Sequence, residues 1–383
     1  MKRFFIPIIF LLLPYVILGQ SYPSGGTISG TGNIWSGTVT IGGNISVTGE
    51  LTVQSGTTVV FTNASAFITV SGTGSFYAQG ALNDSILITA DFNGNSIYGE
   101  TGETWKHIVF DSGSIGEFSY CIFEYASSPY NNVNGYGGAL LSNSLNISIN
   151  NSTFRNNYGH WGGAVFVNNG GSIEIERTVF YNNSSNMFGG AIYFYLDAKG
   201  DIVNSVFYDN FTTNTTNSGG GAITQHGYSD VNIIGSTFSN NYQIRSVSGD
   251  AIAIDPTYIT PPAPYTTNII NCVFWGSDNQ IQYDYKAYTI LNLTNCAYQG
   301  TIKNKNGVIT TSRVNLFNSF TLNASNTDPN GPNFTDPSSN DWTITPYSPL
   351  FDAGTTPNPT VPTDFLGNSR VGAYDIGAYE LQE

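Results

Sequence analysis

The stretch Ser152-Thr153-Phe154-Arg155-Asn156-Asn157-Tyr158-Gly159-His160-Trp161-Gly162-Gly163-Ala164-Val165 decides the fold, because both of its halves return along the chain. Phe-x-x-Asn recurs as Phe180 to Asn183, Phe207 to Asn210 and Phe238 to Asn241. Gly-Gly-Ala before an apolar residue recurs at Gly137-Gly138-Ala139-Leu140, Gly189-Gly190-Ala191-Ile192 and Gly220-Gly221-Ala222-Ile223, with a variant at Gly249-Asp250-Ala251-Ile252. The two patterns keep step at intervals of 25 to 31 residues, which marks a repeat architecture. Between them lie short alternating runs, Ile147-Ser148-Ile149, Ile173-Glu174-Ile175 and Val231-Asn232-Ile233, bounded by Gly and Asn and too short for crossover helices. Short strands at this period predict an all-β parallel solenoid whose coils stack about 4.8 Å apart.

Stacking accounts for the residue choices. Two positions before each column aromatic stands a small side chain: Cys121, Ser152, Thr178, Ser205, Ser236, Cys272 and Cys296. Strand side chains alternate, so this residue and the aromatic both point inward, a small column beside an aromatic one. The paired glycines suit tight turns, and the Asn after each Phe is expected to take left-handed geometry and stack its amide along the axis.

Working outward, the segment from Thr27 to about Ser119 keeps the alternation without the motifs and reads as the opening coils of the same solenoid. From about Asn315 clustered Pro and Gly suggest a cap that protects the terminal strand edges. At the amino end Lys2 and Arg3 precede the apolar run Phe4 to Leu18 and then Gly19, the pattern of a secretory signal peptide. A membrane anchor is the competing reading, weakened by the short run and by Pro7 and Pro14. The expected organisation is 1–19 signal peptide, 20–314 β-helix and 315–383 cap, with no membrane span in the mature chain.

Composition agrees. Only 10% of residues are charged, 14% are aromatic and 43 are Gly, which excludes helical bundles on one side and disorder on the other. A net charge of −14 gives no basic footprint, so nucleic acid is not an expected partner and anionic lipid is disfavoured. Three Cys allow at most one internal disulfide. Cys272 and Cys296 hold equivalent places in successive repeats, consistent with either a disulfide or a row of buried thiols. All three sit at a core position that disfavours a catalytic thiolate, and no CxxC pair or His cluster points to zinc.

The Gly-Gly-Ala-(Ile/Val) and Phe-x-x-Asn pairs resemble the repeats of the chlamydial polymorphic outer membrane proteins and, more broadly, the right-handed parallel β-helix or pectin-lyase-like superfamily. Leu51-Thr52-Val53, Gly56 to Phe61 and Trp105-Lys106-His107-Ile108 resemble the first coils of bacterial surface β-helix proteins. Trp342-Thr343-Ile344, Ser348-Pro349, Asp352-Ala353-Gly354, Asp364 to Gly367, Arg370 and Asp375 to Glu380 are similar to the choice-of-anchor Q domain. These resemblances imply a right-handed β-helix at the cell surface or outside the cell. In the tail, Asp352, Asp364, Asp375 and Glu380 with Arg370 form either a hydrogen-bonded cap or a calcium site, and their spacing matches no oxygen-ligand loop.

The superfamily includes polysaccharide lyases and polygalacturonases. A lyase needs a base beside a uronate carboxylate and a cation or Arg for the resulting anion. The basic residues of the repeats are singletons in sequence: Arg155, Arg177, Lys199, Arg245 and Lys286. Inverting hydrolysis needs two carboxylates about 6.5–9.5 Å apart, and the sequence shows no paired-Asp signature. If Val165, Ile192, Ile223 and Ile252 face inward, two outward columns follow: Phe166, Tyr193, Thr224 and Ala253, and Asn168, Tyr195, His226 and Asp255. Phe166, Tyr193, Tyr195, His226 and Asp255 then form a strip suited to a carbohydrate chain, since Tyr offers an apolar face and a polar tip. For catalysis the first candidates are Asp255 and His226, with Asp197 and Arg245 behind them; His160 and Trp161 read as loop packing. No metal and no cofactor are expected, calcium being what an enzymatic reading would bring. The expected protein is an exported, non-catalytic interaction protein, glycan-binding or adhesin-like, whose partner is a polysaccharide or cell-surface glycan. The alternative is a lyase or glycoside hydrolase of an acidic polysaccharide.

Overall fold

The computed structural model describes residues 19–129, 136–214, 219–244, 249–255, 265–283, 289–304 and 314–382. Their strands run in three long parallel sheets of twelve, eleven and eleven strands, here faces A, B and C, which begin at Gln20–Tyr22, Gly26–Ile28 and Asn33–Trp35. One coil visits all three: Cys121–Glu124 on A, Leu140–Ser142 on B, Asn146–Asn150 on C, then Thr153–Arg155 back on A. The chain is a parallel β-helix, right-handed as the twist of parallel strands dictates. No α-helix occurs among the described residues, and none of their helices is long and apolar enough to cross a membrane.

The core is the pair of columns read from the repeats. Phe123, Phe154, Phe180, Phe207, Phe238 and Phe274 stack face to face with centroids 4.4–5.0 Å apart and planes within 2–16°. The small column occupies the corner from C to A, where the preceding residue turns the chain with positive φ: Asn151 (49°), Arg177 (47°), Asn204 (47°), Asn271 (52°) and Asn295 (48°). Small polar groups fit because they satisfy the corner's backbone. Ser205 Oγ donates to the Val203 carbonyl (2.9 Å) and accepts from the Thr178 amide of the coil before (3.2 Å). Cys272 and Cys296 continue the column as free buried thiols, so the bonded alternative is not what forms. Burial and the neighbouring Cys296 raise the Cys272 thiol well above its ordinary value.

The Asn of Phe-x-x-Asn does not take left-handed geometry; that falls to the residue before it, at Asn156 (57°), Asn182 (53°), Asp209 (54°) and Asn240 (52°). This turn points Asn157, Asn183, Asn210 and Asn241 inward as a buried ladder. Each Nδ2 donates to the next Oδ1, at 2.9, 3.0 and 2.9 Å. Each also reaches back to a Phe carbonyl one coil earlier, Asn183 to Phe154 at 2.9 Å. The glycine pairs serve close approach: a Cβ on Gly138, Gly163 or Gly190 would overlap a carbonyl oxygen of the equivalent glycine pair one coil on.

The carboxy-terminal segment lies on the flank of the solenoid, against the outer surface of face A, where an end cap was expected. Phe334, Trp342, Ile344, Leu350, Ile376 and Ala378 pack on Val206, Val273, Ala297 and Leu322. The physical reason is apolar: in these coils face A carries outward hydrophobic residues that need cover. The corner asparagines fix the flank. Asn204 Nδ2 donates to the Thr363 carbonyl, Asn271 Nδ2 to Thr355 and Asn295 Nδ2 to Ala353.

Candidate functional site

Strands Val165–Val167, Ile192–Tyr195, Ile223–His226 and Ile252–Asp255 are neighbours on face B. Their register aligns Phe166, Tyr193, Thr224 and Ala253 in one column, and Tyr195, His226 and Asp255 in the next, as read from the repeats. Exposure differs from the expectation. Phe166, Tyr193, Thr224 and Ala253 are all buried, and a second layer roofs Phe166 and Tyr193. That layer is a five-stranded sheet in the corner between A and B, which includes Tyr158–Trp161 and Ser184–Phe188. Trp161 and Phe188 come down from it onto Phe166 and Tyr193, and Tyr136, bridged to Trp161, joins them. Phe166 and Tyr193 therefore cannot be the contacting rings; they are the floor beneath them.

What reaches solvent is the upper tier: Tyr136, His160, Trp161, Phe188, Tyr195 and His226, each half-buried. Trp161 stands 4.9 Å from Tyr136 and 6.3 Å from Tyr195, with planes 35° and 29° apart. His226 meets Tyr195 edge to face at 5.8 Å, and its Nδ1 lies 2.9 Å from the Tyr193 hydroxyl. Trp161 is thus the centre of the surface, and its Nε1 donates to Met187 Sδ at 3.4 Å. From sequence Trp161 reads as loop packing, because it precedes a Gly-Gly turn and its position above Phe166 comes from the corner sheet, which has no alternation of its own.

Of the four candidate catalytic residues, His226 and Asp197 are described in full. Asp197 is exposed in a left-handed turn (φ 58°) beyond Tyr195. Asp255 extends the Tyr195–His226 row by its backbone, while its side chain and the whole of Arg245 lie outside the described residues. No group of three or more His, Cys, Asp or Glu that could hold a metal occurs among the described residues. The tail carboxylates accept instead from backbone amides: Asp364 from Asn368 and Glu380, Asp375 from Asp352 and Leu381, Glu380 from Val371 and Asp375. Arg370 closes that network on Glu380 at 2.9 Å, both side chains buried.

One charged pair was missed. Glu124, Arg155, Tyr181 and Tyr208 each follow a column Phe, so the register lines them up on the outer side of face A. Glu124 is buried; its Oε2 accepts from Arg155 Nε (2.7 Å) and its Oε1 from Thr89 Oγ1 (2.9 Å). Arg155 also donates to the Tyr181 hydroxyl at 3.2 Å, and Tyr181 stacks on Tyr208 at 4.9 Å. The signal lies in the sequence, where Glu124, Arg155, Tyr181 and Tyr208 each stand directly after a column Phe.

No protein-family model matches the chain, and no curated protein does. Among solved structures the chain is similar to one described as the pectate lyase Pel9A, at 14% identity and a TM-score of 0.40, over 86% of this chain and 89% of that one. A likeness so distant lends no support to any activity.

Proposed function

We propose that this is an exported, non-catalytic β-helix protein that binds a glycan chain through the aromatic surface centred on Trp161, Tyr195 and His226. The carrying observation is that surface: half-buried rings held over a buried aromatic floor on a registered sheet. Rings fixed in this way present apolar faces for sugar C–H groups and polar tips for hydroxyls at little conformational cost. Export rests on Lys2, Arg3 and the run Phe4 to Leu18, which lie outside the described residues. Placement at the cell surface, in association with the outer membrane or in the periplasm, follows the resemblance of the repeats and of the choice-of-anchor-like tail.

The second reading is a lyase or hydrolase of an acidic polysaccharide, and Glu124 with Arg155 favours it, because a guanidinium beside a carboxylate is part of what that chemistry needs. Against it, Arg155 is already committed to Glu124 and Tyr181. Glycan-array retention of the native protein and of Trp161→Ala and Tyr195→Ala tests the binding reading. Retention lost in both variants, without release of reducing ends or unsaturated uronate, supports it; turnover that disappears in Glu124→Gln replaces it with the enzymatic one.

A further inference from the structure

The excursion from Asp91 to Glu103, between strands Ile86–Ala90 of face A and Ile108–Phe110 of face B, belongs to neither surface described above. Its side-chain oxygens recur at alternate positions, Asp91, Asn93 and Asn95. The chain then turns through Ser96 at φ 62°, which leaves the Ile97 carbonyl next in order. Oxygen ligands at the first, third and fifth places, a sharp turn at the sixth and a main-chain carbonyl at the seventh make up the first half of a calcium loop. The loop is already wound in that form. Asp91 Oδ1 accepts from the Gly94 amide (2.7 Å) and Oδ2 from Ser96 (2.8 Å); Asn93 Oδ1 accepts from Asn95 and Asn95 Oδ1 from Ile97.

An independent observation points to a ligand. Glu103 is only 6% exposed, and its Oε1 accepts from the Phe92 amide at 2.9 Å, which sets the carboxylate against the chain between Asp91 and Asn93. Its Oε2 is buried and has no hydrogen-bond partner. A carboxylate oxygen left bare away from water is costly, and a cation bound beside it removes that cost. We propose that residues 91–103 bind one Ca²⁺, with Asp91 and Glu103 as the charged ligands and Asn93, Asn95 and the Ile97 carbonyl as neutral ones. Glu100 is engaged apart from these ligands, its Oε2 accepting from the Asn93 and Asn95 Nδ2 groups at 2.8 Å each. Two ligating carboxylates with several neutral oxygens place the site in the weak class, with a Kd of about 0.1–1 mM, suited to the calcium of an extracellular medium. Mg²⁺ demands a tighter octahedron and competes poorly.

Calorimetric titration of the full chain with calcium chloride, and terbium luminescence sensitised by Tyr98 and Trp105, test the site. The expected result is one site per chain, with calcium but not magnesium displacing terbium. Glu103→Gln is expected to weaken binding at least tenfold. Asn95→Ala, an exposed position whose change leaves the core intact, is expected to weaken it severalfold. Absence of calcium binding to the native chain, or the same affinity in native, Asn95→Ala and Asp91→Asn proteins, overturns the proposal.

Discussion

Asn183 shows how much one residue carries. Its amide accepts from the Asn157 backbone and side chain, and donates both to Asn210 and to the Phe154 carbonyl. Asn183→Ala strands buried partners on two sides, and urea unfolding should show a loss of about 3 kcal/mol. Its neighbour Asn182, exposed at φ 53°, should accept Gly with little change. Two titrating residues oppose each other. Burial, with Lys106 adding to it, lowers His107 to about 4. Between roughly pH 6.5 and 4 the unfolded chain therefore holds a proton the folded one lacks, and this contribution falls on acidification. Burial raises the Asp375 carboxyl to about 6 even though backbone amides donate to it. From about pH 6 down to 4 the folded chain holds the extra proton, so acidification strengthens this contribution. Thermal unfolding across that range should fall less steeply in His107→Gln than in the native protein, and more steeply in Asp375→Asn. The residue scale is also where the sequence was most and least legible. The Phe and Asn columns repeat in register and announce themselves. The left-handed position was read one residue late, because Asn occupies both candidate places at Asn156-Asn157 and Asn182-Asn183 and composition cannot choose between them.

Elements of three kinds meet in this chain. Face strands are specified by alternation and by identical neighbours above and below, so their register could be read in advance. The corner strands Ser127–Ser128, Tyr158–Trp161 and Ser184–Phe188 are held by stacking on one another and on Phe166 and Tyr193, with no alternation of their own. That is why the roof over the expected strip was invisible, and why Trp161 reaches solvent where Phe166 and Tyr193 do not. The carboxy-terminal segment is a third case, an irregular layer whose register comes from carboxylates that accept backbone amides. Arg370 is its charge balance, bonded to Glu380 (2.9 Å) and to Asn204 of the solenoid (2.9 Å). Arg370→Met leaves Glu380 buried and uncompensated, at a cost of about 3–5 kcal/mol. Limited proteolysis should then cut the flank layer first, between the strands of the Phe334–Asp336 hairpin and Leu381, while the coils stay protected.

At the scale of the molecule the solenoid is nearly one-dimensional, each coil resting on its neighbours, so stability is expected to vary along the axis. The flank layer ties coils from Arg177 to Asn295 together, whereas among the described residues Gln20 to Phe61 have no such brace. Hydrogen exchange should accordingly release the amides of Val39 and Ile45 before those of Phe207 and Ile233. A rigid middle is also what a binding surface needs, and the aromatic tier stands there, on coils braced from the opposite side by the flank layer. The most direct test of the account is retention on a glycan array by the native protein and by Trp161→Ala, read beside an assay for released sugar ends. The account predicts retention by the native chain, loss of at least tenfold in Trp161→Ala with the β-rich circular dichroism of the folded solenoid retained, and no released ends from either. Equal retention by both proteins, or sugar ends released by the native chain, would contradict it.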